Sequence, residues 1–531
     1  MRERSMKSLT AICLLLLAAI ASGRPAFAAA HQEHLKPVVA CDRLAANSID
    51  GAVGAVTTIT SAAARELDGT RYCIVEGVIA PEIRFEARLP MDDWSGRYLQ
   101  TGCGGLCGSL AIHVEHAESC VPVRDHTVVL ASTDMGHEGM GGDWAIRNPA
   151  TRADFGHRGV HLTALAVKAL VREYYGKPAR YAYFSGCSDG GREALVEAQR
   201  YPDDFDGIAA GAPALNFTVQ NSFYHAWNAV SNTAADGTAI VTPSQLPLLH
   251  AAVLGACDAL DGSKDGVIED PRRCPLDPGT LACHGAEAVD ACLTTAQVEA
   301  VRRFYGGARD PQGRRLVIAG PMPGSELAWQ GVFVPRTGGD AIFSKMIVEG
   351  SVPGLYYDTP LPKGWTVKDL QFDEATLRSF RLRGLYDATD PDLSAYERRR
   401  GKLLLWHGWS DPHISPINSI AYYDAVSSLL GARRTQSFAR LFLIPGLYHC
   451  SGGEGATEFD VVGVLMDWVE KGKAPASLDA HGGSIHRPVY AYPDRGERTV
   501  QGGWRRVQGT LDAQPVEWLG ADFFQPGYEL K

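Results

Sequence analysis

Gly186-Cys187-Ser188-Asp189-Gly190 reads G-x-S-x-G, the spacing that sets a serine hydroxyl on the tip of a sharp strand-to-helix turn. Such a turn crowds its own backbone, and glycines on both sides relieve the crowding. By composition the pattern arises by chance in about one such chain in three, so the serine has to be judged by its partners. A nucleophilic serine needs a base, and the base needs an acid that holds its tautomer. For a serine on this kind of turn the expected chain order is serine, acid, histidine. Asp411, in His407-Gly408-Trp409-Ser410-Asp411-Pro412, and His449, in Pro445-Gly446-Leu447-Tyr448-His449, follow in that order. The chemistry expected of such a set is acyl transfer. Oxyanion donors are expected at the backbone N–H of Asp189 and, in Gly102-Cys103-Gly104-Gly105, at that of Gly105.

Other residues compete for these roles. His407 lies between aromatic residues and reads as a packed core histidine. His137, His157 and His161 precede the serine and read as structural or pocket-lining. Asp390 and Asp392 precede the strand whose end carries Asp411. The cysteines discriminate better. Cys187 precedes the serine and Cys450 follows the histidine, so assembling the three groups brings the two sulfurs together. A disulfide there would close a loop of roughly 260 residues, which chain entropy values at on the order of 5 kcal/mol. Its greater use would be to hold serine and histidine in register.

An acidic loop is the second group with chemical content. Asp258, Asp261, Ser263 and Asp265, followed by Gly266, place oxygen ligands at alternate positions before a glycine bend, like the first half of an EF-hand loop. Arg272 stands where the bidentate glutamate would be, and Asp258 is the replacement carboxylate. The expected ion is a structural Ca2+, held by the three aspartates and the backbone carbonyls of Ser263 and Val267. Cys257 and Cys274 bracket this loop and are placed to staple it.

The elements that must position these groups are visible on both sides of them. Residues 41–134 read as β-rich, with strands at Thr127–Ser132 and Arg97–Gln100 and alternation in Ile79–Leu89. A helical period spans His161–Tyr175 and ends at Gly176. A strand at Arg180–Phe184, the glycine-rich turn, a helix at Gly191–Arg200 and a buried strand at Ile208–Pro213 follow. The pattern resumes with strands at Lys402–Trp406 and Ala439–Ile444 and helices near Ser419–Leu430 and Glu458–Lys471. Alternating strands and helices predict an α/β fold, a core sheet of the α/β-hydrolase type. The expected division is a leader over 1–28, core over 29–215, an inserted lid domain with the calcium loop over 216–390, and core again over 391–531. The interruption is too long for an ordinary loop. Trp329, Phe333 and Tyr356 are considered as lid walls, but core packing is the expected fate of each.

Arg2, Arg4 and Lys7 precede an apolar run from Leu9 to Ile20, with small residues at Ala26-Phe27-Ala28, the layout of a secretory signal peptide. The run is too short for a membrane span. Of 12 cysteines, Cys13 lies in that leader, and the odd remainder leaves at least one without an intramolecular partner. No CxxC pair suggests zinc. The formal charge of -10 is spread without a basic tract, which argues against nucleic acid as a partner. The oligomeric state is left open.

With these residues assembled, the chain resembles the tannase/feruloyl esterase family. The carrying segments are Trp94–Leu110, Ser132–His137, Tyr183–Phe205, Cys257–Ile268, Asp390–Ser394 and Gly401–Pro412, ending in His449-Cys450. The resemblance implies a Cys-Ser, Asp, His-Cys site at Cys187-Ser188, Asp411 and His449-Cys450, a lid with calcium, and pairings Cys41–Cys73, Cys257–Cys274 and Cys283–Cys292. It also implies a secreted serine carboxylesterase for aromatic-acid esters, feruloyl esterase-like, with tannase or mono(2-hydroxyethyl) terephthalate hydrolase as alternatives. From a different class, the alternative is a non-catalytic secreted binding protein on a hydrolase fold. Cys103 departs from the family's asparagine, and Cys107 and Cys120 are additional. An extra bridge near the oxyanion loop is therefore expected, its identity open.

Overall fold

The computed structural model describes residues 34–285, 291–483, 485–511 and 516–527. The leader over 1–28 lies outside the described residues.

The centre of the molecule is a nine-stranded sheet. Its strands are β1 (Thr57–Leu67), β2 (Thr70–Ile79), β3 (Ile83–Pro90), β4 (Arg97–Thr101), β5 (Val128–Thr133), β6 (Tyr181–Cys187), β7 (Gly207–Gly211), β8 (Lys402–Gly408) and β9 (Ala439–Ile444). The order is β1-β2-β3-β5-β4-β6-β7-β8-β9. The first four pair antiparallel, and from β5 onward every pair is parallel. Burial follows from this arrangement. β3 alternates, turning Ile83, Phe85, Ala87 and Leu89 inward, as a strand with one covered face should. β7 and β8 are buried almost throughout, because helices cover parallel strands on both sides.

The flanking helices begin and end where local chemistry directs. Gly159–Tyr175 stops at Gly176, whose φ of 67° suits a left-handed cap. The helical period expected from Glu458 starts instead at Val461. Asp460 caps that helix by accepting from the Gly463 N–H at 2.7 Å, and Glu458–Phe459 is a short strand. The α/β fold expected from the sequence is the one observed.

Between β7 and β8 the described residues add no strand to this sheet. Its longer helices there are Leu246–Cys257, Thr295–Gly306 and Phe343–Leu355. Trp329 and Phe333 pack with Phe304, Val301 and Leu249 in a cluster belonging to that segment, and Tyr356 is buried in the main core. None of the three lines the cavities at Ser188. Near the C-terminus, Ser477–Gly482 and Ile485–Tyr490 join Glu458–Phe459 in a small antiparallel sheet, and Arg495–Arg498 pairs with Trp504–Val507. The sequence reading missed these strands, which hold few β-branched residues.

Candidate active site

Ser188 sits between the end of β6 and the helix Asp189–Arg200, at φ 64° and ψ -117°. A non-glycine residue keeps such a conformation only where its surroundings enforce it. Here the Ser188 N–H donates to Gly211 O at 3.0 Å, and its carbonyl accepts from the N–H of Ala214 at 3.0 Å. Gly186 shows why the motif needs its glycines. A Cβ there would stand 2.7 Å from the Gly190 carbonyl atoms.

Asp411 and His449 come from the loops after β8 and β9. Those loops are tied together by the Trp409 N–H to Ile444 O at 2.9 Å and the Ser410 N–H to Leu447 O at 3.0 Å. His449 Nδ1 lies 2.7 Å from Asp411 Oδ2. The Asp411 carboxylate is fully buried, and its Oδ1 accepts from the N–H groups of His413 at 2.7 Å and Ile414 at 3.0 Å. Burial alone would raise its pKa. The attraction of His449 and the hydrogen bonds from His407 and His449 outweigh that and hold it well below the usual carboxylate range. His407 is buried, and more than packed: its Nε2 lies 3.1 Å from the same Oδ2, and its Nδ1 2.7 Å from Ser419 Oγ. The packed-core reading of His407 holds, and burial next to a carboxylate adds a partner that it did not include. The signal available in the sequence was its place four residues before Asp411.

Cys187 and Cys450 are bonded, joining the serine turn to the histidine loop across a separation of 263 residues. His116 Nε2 holds the Cys450 carbonyl at 2.8 Å, with its ring stacked on Phe459 at 4.0 Å. The pairs Cys41–Cys73, Cys257–Cys274 and Cys283–Cys292 are bonded as well. Cys103 pairs with Cys107, and Cys120 is free and buried.

Asp189 opens its helix, so its N–H has no carbonyl one turn back and is free to receive an anion. Its side chain makes a buried two-point pair with Arg192, Oδ1 to Nε at 2.6 Å and Oδ2 to Nη2 at 2.9 Å. Gly105, at φ 64°, lies on the loop after β4 and borders the serine pocket. That loop is supported by His137, whose Nε2 meets Leu106 O at 2.6 Å and whose ring stacks on Trp144. Glu193 lies beneath it, and burial together with the neighbouring Asp189 carboxylate pushes its pKa up to about 8.

Two cavities meet at Ser188 and His449. A tight one of about 20 Å³ is lined by Ala214, Asn221, His225, Phe343, Ile347 and Ile414. A groove of about 360 Å³ runs past Gly102–Gly105, Glu115, Trp406 and Cys450. Ser188 and His449 share both spaces, and no hydrogen bond joins their side chains among the described residues. Serine–histidine contacts are often loose before substrate enters. The arrangement gathers the Ser188 hydroxyl, the His449 imidazole paired with Asp411, and the backbone of Gly105 and Asp189 around one space.

In the acidic loop, Asp258 accepts from the N–H groups of Asp265 at 3.2 Å and Gly266 at 3.1 Å, and Asp261 Oδ1 from that of Ser263 at 2.9 Å. Asp261 Oδ2 and Asp265 Oδ1 are buried without a hydrogen-bond partner, and the carbonyls of Ser263 and Val267 accept none among the described residues. Buried carboxylate oxygens left over in this way fit a bound cation. Arg487 already stands 3.9 Å from Asp265 Oδ2. Val267 packs against Gly446 of the histidine loop, close enough that a Cβ on that glycine would meet it at 2.5 Å.

The sequence profile of tannase and feruloyl esterase matches residues 68–509. An uncharacterised esterase of Xanthomonas campestris is 32% identical over 535 residues, covering 89% of this chain and 91% of that protein. The mono(2-hydroxyethyl) terephthalate hydrolase of Piscinibacter sakaiensis is 31% identical over 495 residues, covering 80% and 81%. The crystal structure of feruloyl esterase B from Aspergillus oryzae superposes with a TM-score of 0.74 at 27% identity, covering 85% of this chain and 96% of that one.

Proposed function

This chain belongs to the tannase and feruloyl esterase family and is a carboxylic ester hydrolase, and from the geometry at Ser188 we propose that it cleaves aromatic-acid esters through an acyl-enzyme. The observation that carries the reading is one linked unit. Ser188 on its constrained turn shares a cavity with His449, His449 is oriented by buried Asp411, and Cys187–Cys450 ties the two loops.

In this mechanism His449 takes the proton of Ser188 as Oγ attacks the ester carbonyl, and Asp411 fixes the imidazole tautomer. The N–H groups of Asp189 and Gly105 hold the oxyanion. His449 then returns the proton to the departing alcohol, and water, activated by the same imidazole, releases the acid. An aromatic acyl group is favoured by two relatives, one named for ferulate and one for a terephthalate half-ester. The segment between β7 and β8 acts as the lid, since its Phe343 and Ile347 border the serine pocket. Ca2+ in this reading is held by Asp258, Asp261 and Asp265 with the carbonyls of Ser263 and Val267, and stiffens a loop packed on Gly446. Export through the leader at residues 1–28 is supported by five disulfides among the described residues. No helix among the described residues is long and apolar enough to cross a membrane.

The test pairs a fluorophosphonate probe with hydrolysis of methyl ferulate, chlorogenate, methyl gallate and mono(2-hydroxyethyl) terephthalate. Folded wild type labels at Ser188 and turns over one or more of these aromatic esters, and Ser188→Ala does neither. A folded wild type that resists the probe is a binding protein instead.

A further inference from the structure

Gly105 sits inside a short ring of chain closed by the Cys103–Cys107 disulfide. The ring rests on the serine turn. The Gly190 N–H donates to Cys103 O at 2.7 Å, and Glu193 Oε2 accepts from the Cys103 N–H at 3.3 Å. Within the ring the Cys107 N–H donates to Gly104 O at 3.0 Å. The sulfurs face two buried acids of the same helix. Cys103 Sγ is 2.8 Å from Glu193 Oε1, and Cys107 Sγ is 3.3 Å from both Glu193 Oε1 and Asp189 Oδ2. Cys107 is buried, whereas Cys103 is half-buried and borders the open groove. The acyl-transfer steps use none of these side-chain atoms.

We propose that the Cys103–Cys107 disulfide is a positioning bridge for the oxyanion donor at Gly105, and that a dithiol reductant turns the esterase down by opening it. The proposal rests on the esterase mechanism given above. Gly104 and Gly105 have no side chains to anchor them, and Gly105 holds a positive φ. Closing the ring removes the freedom that two adjacent glycines would otherwise have, and so holds one N–H on the oxyanion. Reduction restores that freedom. It also suits its surroundings, because disulfide sulfurs carry no proton, whereas two thiols can donate to the Asp189 and Glu193 oxygens already facing them.

The redox step balances with the dithiol alone. A thiolate of the reductant attacks Cys103 Sγ from the groove, the bond to Cys107 breaks, and Cys107 leaves as a thiolate and takes a proton. The second thiol of the reductant then displaces Cys103. The enzyme gains two electrons and two protons, and the reductant leaves as a cyclic disulfide.

Cys187 and Cys450 border the same groove, so the experiment must tell the two bridges apart. The full chain is titrated with dithiothreitol, each bridge is followed by differential alkylation and mass spectrometry, and kcat and KM are measured at every step. The expected result is a fall in kcat of about 10- to 100-fold that tracks opening of Cys103–Cys107 while Cys187–Cys450 stays closed. KM changes by less than about threefold, and reoxidation restores kcat. The Cys103→Ala/Cys107→Ala double variant, folded by circular dichroism, shows the same low kcat without reductant and no further response in that range. A folded double variant with wild-type kcat overturns the proposal, as does activity that falls only when Cys187–Cys450 opens. If the double variant does not fold, the titration of the wild type decides alone. A wild type without esterase activity at the outset refutes the underlying mechanism, a separate result.

Discussion

His407 Nε2 and His449 Nδ1 converge on one oxygen: Asp411 Oδ2 lies 3.1 Å from the first and 2.7 Å from the second. The other carboxylate oxygen is held by two backbone N–H groups. The acid is thus fixed from four directions, and His407 contributes one of them without touching the cavity.

This fixes how the two partners of His449 and Asp411 should differ in effect. Asp411→Asn leaves the wrong imidazole tautomer and is expected to lower kcat by about 10⁴-fold. His407→Gln removes one of several supports, and the expected loss is about 5- to 30-fold in kcat with KM little changed, equivalent to roughly 1–2 kcal/mol of a hydrogen bond. Steady-state kinetics on a methyl ester measures both. Equal losses would mean that His407 is itself part of the proton-transfer unit.

Breaking the bridge behind the site should cost stability and rate together. Cys187→Ser/Cys450→Ser frees a loop closed over 263 residues. Chain entropy sets an upper scale of about 5 kcal/mol for the stability lost. Urea unfolding reads that loss. A lower kcat in the variant under native conditions reads the freed His449 loop, and unchanged kcat would show that the bridge serves stability alone.

Glu193 should make stability depend on pH. Its folded pKa is raised to about 8, by burial and by Asp189. In the unfolded chain a glutamate titrates near about 4.3. Its stabilising contribution is present in full below that value, is lost as pH rises toward about 8, and changes no further above it. Glu193→Gln should flatten the fall in unfolding free energy between pH 5 and 8, measured by urea titration at each pH. Parallel curves for wild type and variant would show that Glu193 does not carry the dependence.

Calcium should act on stability before activity. Chelation is expected to lower Tm, and excess Ca2+ at about 100 times Kd to restore about 2.7 kcal/mol. Asp261→Asn/Asp265→Asn should abolish that response, read by thermal unfolding with and without the ion. A wild type whose Tm ignores both chelator and calcium has no such site.

The sequence made much of this legible because the relevant signals were local. G-x-S-x-G needs only its own glycines, and the strands β6, β7, β8 and β9 are short apolar runs that mark themselves. Boundaries slipped where a cap overrode periodicity, as at Asp460. The small C-terminal strands went unseen because their pairing, rather than their composition, makes them strands. Trp329 and Phe333 pack in the interior of their own segment because large aromatic rings gain more from burial there than from facing a cavity.

From residue types and order alone come the α/β class, the serine, acid and histidine in sequence, the two cysteines beside them, and the acidic loop. Each is carried by neighbours a few residues apart, or by an order that chain topology imposes. The hydrogen bond from His407 to Asp411, the pairing of Cys103 with Cys107, the burial of Glu193 against Cys103 and the unequal cavities were decided only by tertiary structure. Each depends on which surfaces meet when distant segments pack, and on how far that packing excludes water from a charge. Neither quantity is written in the spacing of residues along a chain.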